Sequence, residues 1–318
     1  MSEQKNNRQI TFWGILKTLF VLMIIVQFVP ILFSNLKKSL EDTLSPKPKI
    51  GHLTLNGFIG NSTFYVKKIR SFLKDEDILG LFIKISSPGG VPGSSQAIFN
   101  ELKLFKAKKP IVILVENVCA SAAYYVAVTG NTIISQPSSL VGSIGSFAQL
   151  PNIKGLMEDW KIKFNFIQSG KYKTAGNPFT ETTPQEKEYL QQISDDIYQQ
   201  FINDVATSRN LDIKEINKWA DGKVFTGTQA LKLKLIDKIG SMTDAVEEIK
   251  KLAKIPETEE IKFIKQKPPS GILKYLQMKE EETDDEVNFS NSFANFINNV
   301  LDKVSEKQQI KAQTLHIG

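Results

Sequence analysis

The stretch PIVILVENVCASAAYY, residues 110–125, decides the fold. Residues 110–115 are apolar without interruption and rich in β-branched side chains, which predicts a strand buried on both faces. Small residues follow, and the segment 120–127 is predicted to begin a helix. A buried strand that runs directly into a helix is the repeating unit of an α/β fold.

The same alternation extends to both sides of this stretch. Further strands are predicted over 52–57, 79–85 and 132–135, and the glycine-rich SSPGG at 86–90 is predicted to end the second of them. Helical spacing of apolar residues predicts helices over 61–74, 94–105, 185–206 and 243–252. The sequence therefore predicts the α/β class, with crossover connections and a sheet covered on both faces.

Residue content excludes several classes of protein. The 318 residues carry a net charge of +6, but the lysines are interleaved with acidic residues, as on an ordinary solvated surface, and no nucleic-acid-binding motif is found. Cys119 alone cannot form an intrachain disulfide. With only His52 and His316, the chain has few candidates for a Ser-His-Asp triad or a histidine-rich metal site.

The amino-terminal region is predicted to hold a retained membrane anchor. The stretch 11–33 is apolar apart from Lys17, and a helix of about 20 apolar residues crosses a bilayer. No small-x-small cleavage site follows it. We expect a tail at 1–10, an anchor at 11–34, a linker at 35–50 and a globular body at 51–254. Basic residues on both sides leave the orientation open.

The carboxyl-terminal extension, 255–318, is predicted to be peripheral. Residues 257–286 are rich in charge and proline, and an amphipathic segment follows at 293–304. This segment is predicted to pack on the body or on a partner chain.

Candidate chemistry lies where two predicted strands end. In α/β sheets, reactive groups gather at the carboxyl ends of strands. Gly89 and Gly90 could present bare N–H groups to an oxyanion, or form a plain tight turn. Ser121 stands at a strand-to-helix junction, as an exposed nucleophile or as a helix cap. A lysine can replace histidine as its base only when burial keeps the amine neutral, and the glycine-bounded loop 168–179 could fold inward.

Five motifs in order carry a resemblance to a known family. They are SPGG (87–90), CASAAYY (119–125), VGSIGS (141–146), SGKYKTAGNPF (169–179) and ADGKVFTGTQALKLKLIDKIG (220–240). Together they resemble the signal peptide peptidase A and SohB (protease IV type) family of serine peptidases, over about residues 53–254. That family has the Clp-protease/crotonase-like ββα superhelix fold, which the resemblance implies here behind one transmembrane helix.

The resemblance implies a role for individual residues. The nucleophile falls on Ser121 and the lysine base on Lys173, with Lys171 as a nearby decoy. Ser143 would orient the lysine amine, and the backbone N–H groups of Gly90 and Ala122 would form the oxyanion hole. The chain departs from the family by having Ala122 and Ala123 in place of two glycines, and Lys234 in place of another.

The resemblance also implies a mechanism and a setting. Ser121 would attack a peptide carbonyl and form an acyl-enzyme, with no metal or other cofactor. The substrates would be signal peptide remnants or other short membrane-derived peptides. Family members form homo-oligomeric rings anchored in the bacterial inner membrane, with the catalytic domain outside the cytoplasm. Cleavage specificity, natural substrate and subunit number are not determined by the sequence.

Two other readings stay open at this point. One is a crotonase-like acyl-CoA enzyme, which would also hold an oxyanion with backbone N–H groups. The other is a catalytically inactive membrane scaffold of the same fold, for which the alanine pair Ala122 and Ala123 would be a sign of decay.

Overall fold

The computed structural model describes residues 19, 20, 22, 23, 26, 27, 30, 33 and 47–265. The predicted tail at 1–10 and the amphipathic segment at 293–304 lie outside the described residues, as does most of the predicted anchor. Among the residues that are described, no helix is long and apolar enough to cross a membrane.

The described part of the chain forms one mixed sheet, which confirms the α/β class. The strands follow the order β6-β5-β3-β2-β1-β8, with β4 paired to β3 and β7 paired to β4. All pairs are parallel except β5 with β6. The strands are β1 (Lys49–Ile59), β2 (Ile78–Gly90), β3 (Ile111–Ala120), β4 (Thr132–Ser135), β5 (Leu140–Gly142), β6 (Val224–Thr226), β7 (Lys238–Ile239) and β8 (Lys262–Lys265).

The helices connect these strands and cover both faces of the sheet. They are α1 (Thr63–Lys74), α2 (Pro92–Lys106), α3 (Ala122–Ala127), α4 (Lys154–Asp159), α5 (Pro184–Arg209), α6 (Ile216–Trp219), α7 (Gly227–Lys232) and α8 (Met242–Leu252). Alternate side chains of β2 and β3 enter two separate clusters: Ile83 and Ile113 join the core under α2 and α3, whereas Phe82 and Val112 pack with α8. Burial on both faces explains why these strands are apolar throughout.

Two segments differ from the sequence prediction. SSPGG was predicted to end a strand at residue 85, but β2 continues to Gly90, because Phe58 and Ile59 of β1 pair with Gly89 and Gly90 after a register shift. Part of the predicted peripheral extension also joins the sheet: β8 pairs in parallel with the start of β1. Both differences arise from pairing with a strand distant in sequence, which local composition does not reveal.

A half-buried histidine lies where β8 meets β1. The ring of His52 is 5.5 Å from that of Phe82 and 5.4 Å from that of Phe263, between ring centroids. Its Nε2 atom is buried and has no hydrogen-bond partner within the described residues. Burial, and then the charges of Lys265 and Lys84, lower the pKa of His52.

Acid is therefore expected to destabilise the fold through His52. The unfolded chain binds the proton near pH 6.5, whereas the folded chain resists it, so stability is complete above about pH 6.5 and falls as the pH drops through the folded value. Thermal unfolding at pH 7.5 and pH 5.5 measures this loss. In His52→Phe, which keeps the aromatic packing, the loss over this range should shrink; an unchanged loss would contradict the assignment.

Candidate active site

Ser121 has the most constrained backbone at the site. It links the end of β3 to the start of α3 with φ 52° and ψ −125°, a region that costs a residue other than glycine about 1–3 kcal/mol. Its N–H donates to the carbonyl oxygen of Gly142 at 2.8 Å. Although Ser121 occupies the N-cap position of α3, its side chain makes no capping hydrogen bond. The hydroxyl is therefore not used as a helix cap.

Gly89 and Gly90 bring the backbone at the end of β2 against Ser121. A Cβ atom on Gly89 would lie 2.9 Å from the Cβ of Ser121 and 3.1 Å from the backbone nitrogen of Ala122. On Gly90, it would lie 2.2 Å from the carbonyl oxygen of Ile59. Only glycine permits these approaches. The two predicted oxyanion donors, Gly90 and Ala122, thus lie beside the serine.

A cavity of about 350 Å³ opens at this place. Gly90, Ser121 and Ala122 line it where β2, β3 and α3 meet, and the rings of Tyr125, Phe147 and Phe201 also line it. No lysine, histidine, aspartate or glutamate is among the residues that line it. The described part of a single chain therefore gives the cavity a serine and backbone donors but no general base.

Ser143 lies next to Ser121 across two parallel strands. Ala120, the last residue of β3, pairs with Gly142, the last residue of β5. The residue that follows each strand is a serine, Ser121 or Ser143. Ser143 also has a positive φ, 50°, and its N–H donates to the carbonyl oxygen of Lys223 at 2.7 Å. The structure thus places the predicted lysine-orienting serine beside the predicted nucleophile.

Lys173 is not brought to the cavity of its own chain. It lies exposed in a run of turns over residues 171–176. The ring of Tyr172 stacks on Tyr189 of α5, with 4.8 Å between centroids, and so ties this loop to the helix. The amine of Lys171 lies 5.1 Å from the centre of the Tyr172 ring, which distinguishes it from Lys173.

Sequence reasoning missed the wall that α5 supplies. The hydroxyl of Tyr125 donates a short hydrogen bond to the carboxylate of Asp204, and Phe201 packs edge-on against the same ring. Burial, then the bond to Asp204, raise the pKa of Tyr125. Tyr125 could have been found, since it follows Ser121 by one helical turn. No sequence signal indicated Asp204.

No metal site accompanies this arrangement among residues 47–265 or the few described residues before them: no three His, Cys, Asp or Glu side chains converge there.

Comparison with known proteins gives a consistent family. Residues 103–256 match the description "Peptidase family S49". A protein of Methanocaldococcus jannaschii, named as a protease, is 35% identical over 218 residues, which are 68% of this chain and 70% of that protein. One of Enterococcus faecium, named as the signal peptide peptidase SppA, is 28% identical over 241 residues, covering 71% and 70%. The SohB protein of Haemophilus influenzae, also named as a protease, is 27% identical over 219 residues, covering 69% and 59%. The chain therefore belongs to peptidase family S49, the SppA and SohB family of serine peptidases.

Proposed function

We propose that the protein is a membrane-anchored endopeptidase in which Ser121 and Lys173 form a Ser-Lys dyad. The observation that carries this proposal is the strained backbone of Ser121, which lines the cavity and whose hydroxyl makes no capping bond. Strain of this kind persists where the surrounding structure holds a residue for function. The substrates are signal peptide remnants or other short membrane-derived peptides.

The proposed reaction uses only groups of the protein and water. The neutral amine of Lys173 accepts the proton of the Ser121 hydroxyl as Oγ attacks the scissile carbonyl. The backbone N–H groups of Gly90 and Ala122 stabilise the oxyanion that forms. The leaving amine takes the proton from the lysine, and the acyl-enzyme is then hydrolysed by water, which the same amine deprotonates. Ser143 orients that amine.

In a single chain as described, the proposed base does not reach the cavity. Lys173 is exposed, and no group that lines the cavity can replace it. We therefore infer that assembly of several copies into a ring covers Lys173 and brings its amine to a serine. Burial on assembly would also remove the water that keeps an exposed lysine charged.

Exposed apolar side chains near this loop support assembly. Phe147 is 85% exposed and Ile167 is fully exposed, and Leu156, Phe164, Phe166 and Tyr172 are also exposed. A group of large apolar residues in contact with water is typical of a protein interface. These six residues are called the apolar face below.

A charge on the apolar face is expected to weaken the assembly. In Ile167→Asp, the carboxylate would be buried at the interface without a partner, so the subunits should dissociate and peptide hydrolysis should fall by at least about tenfold. Light scattering after size exclusion measures the mass. Leu104→Asp is the matched control, because Leu104 is an exposed apolar residue of α2 that is not one of the six residues of the apolar face. Loss of assembly in both variants, or in neither, would argue against this interface.

Active-site labelling tests the proposed function as a whole. A fluorophosphonate or a peptide aldehyde should label Ser121 in the assembled protein, and Lys173→Ala should abolish the labelling. An assembled protein that is neither labelled nor active on peptides would favour the inactive scaffold. Turnover of acyl-CoA would favour the crotonase-like reading.

The proposed setting is the bacterial inner membrane, with residues 11–34 as a single anchor and the catalytic domain outside the cytoplasm. It is supported by the apolar run in the sequence and by the family to which the chain belongs.

A further inference from the structure

A second cavity lies at the opposite end of β3 from Ser121. It has a volume of about 480 Å³ and is lined by Lys106, Asn131, Ser208, Arg209, Lys234 and Asp237, among others. The N–H of Asn131 donates to the carbonyl oxygen of Ile111, the first residue of β3. Ser121 follows the last residue of β3, so the two cavities lie about 30 Å apart along the strand.

The single carboxylate of this cavity is already engaged by Arg209. The guanidinium donates to both oxygens of Asp237, at 3.0 and 2.8 Å, and Nε donates to the carbonyl oxygen of Lys234 at 3.0 Å. The Arg209 side chain is 8% exposed. Within the described residues, neither Lys106 nor Lys234 forms an ion pair with a carboxylate, and three cations against one carboxylate give the lining of the cavity a net charge of +2.

Two of the three cations are the last residues of helices. α2 ends at Lys106 and α5 ends at Arg209, and the carbonyl end of a helix favours positive charge. The amine of Lys106 donates to the carbonyl oxygen of Gly130 at 3.0 Å. Burial, and then the charge of Arg209, lower the pKa of Lys106, and the charge of Asp237 partly opposes this shift.

Lys234 differs from the other two cations in its backbone conformation. It follows α7 with φ 59°, and the N–H groups of Lys234 and Leu235 donate to the carbonyl oxygens of Leu231 and Ala230. This is the Schellman arrangement, whose left-handed position glycine fills best. A lysine is therefore unfavourable for the backbone here, at a position that lines the cavity.

We propose that this cavity binds a dianionic phosphate group, held by Lys106 and Lys234. A net charge of +2 matches a dianion, and the polar side chains of Asn131 and Ser208 provide further hydrogen-bond donors. The group could belong to inorganic phosphate, to a soluble phosphate ester or to a lipid headgroup. The proposal uses neither Ser121 nor Lys173 and is independent of the proposed function.

Phosphate titration of the full-length protein in detergent tests the proposal. With inorganic phosphate at about ten times its Kd, the Tm should rise by about 3 °C relative to chloride of equal ionic strength. Lys234→Gly should weaken phosphate binding at least about tenfold, because one of two charges is lost. In chloride it should not lower the Tm, because glycine suits the left-handed backbone. Lys106→Met should weaken binding similarly.

Lys232→Met is the matched control. It removes the charge of a lysine that lies two residues before Lys234 and does not line the cavity. It should bind phosphate as the unmodified protein does. Equal phosphate effects in Lys232→Met and Lys234→Gly, or no effect in the unmodified protein, would overturn the proposal. The Kd values of inorganic phosphate, glycerol 3-phosphate and dihexanoyl phosphatidic acid then identify the source, since a headgroup site binds the lipid most tightly and a free-phosphate site the inorganic ion.

Discussion

Ser121→Ala is expected to reduce peptide hydrolysis by at least about 10⁴-fold while the protein stays folded and assembled. The change removes the Oγ atom that would form the acyl-enzyme. It removes no hydrogen bond that holds the fold, because the side chain makes no capping bond to α3. Hydrolysis of a quenched fluorescent peptide measures the loss, and circular dichroism and light scattering establish that fold and assembly are retained.

Ser121→Gly separates a strained nucleophile from an ordinary structural serine. Glycine adopts φ 52° without strain. This variant should therefore be as inactive as Ser121→Ala but more stable than it, by about 1–3 kcal/mol of unfolding free energy. Ser71→Ala, on the exposed side of α1, is the control for loss of a hydroxyl and should keep full activity. Activity in Ser121→Ala within tenfold of the unmodified protein would end the assignment of Ser121.

Lys173→Met is expected to reduce hydrolysis by at least about 10³-fold, because Ser121 would lose the base that accepts its proton. Methionine keeps most of the length and apolar character of the lysine stem. The amide N–H of residue 173, which donates to the carbonyl oxygen of Gly170 at 3.2 Å, is unaffected.

Lys171→Met is the matched control for the base. It removes the same charge from the same loop, but its amine already lies over the ring of Tyr172. This variant should retain most of the activity. If Lys171→Met loses activity and Lys173→Met does not, the two lysines exchange roles. If neither does, the dyad is wrong, although Ser121 could still be the nucleophile.

The motif CASAAYY made Ser121 a candidate, but the sequence left open whether it acted as a nucleophile or a cap. Its backbone conformation results from contacts made elsewhere: Gly142 accepts its N–H, and Gly89 lies against its Cβ. Such conformations depend on how β2, β3 and β5 pair, and pairing joins residues far apart in the chain. A local pattern cannot report it.

Lys173 illustrates the opposite case. The resemblance selected the residue from 40 Lys and Arg residues, but whether it reaches a serine depends on the surface around it. In the single chain, the loop is held on α5 by the Tyr172–Tyr189 stack, and the lysine is exposed. The aromatic and carboxylate wall from α5, with Phe201 and Asp204, likewise had no sequence signal.

By itself, the sequence determined the α/β class, the buried strands β2 and β3, most of the helices, and the position of a serine where β3 meets α3. These features follow from short-range physics: burial sets the spacing of apolar residues, and small residues mark junctions. Only the tertiary structure decided that SSPGG extends β2, that β8 completes the sheet, and that Gly90, Ala122, Ser121 and Ser143 adjoin one another. It alone also decided that Lys106, Arg209 and Lys234 surround a second cavity. Each of these results depends on close packing between segments that are distant in sequence. In such packing, all the neighbouring residues together set the space and the charge around a side chain.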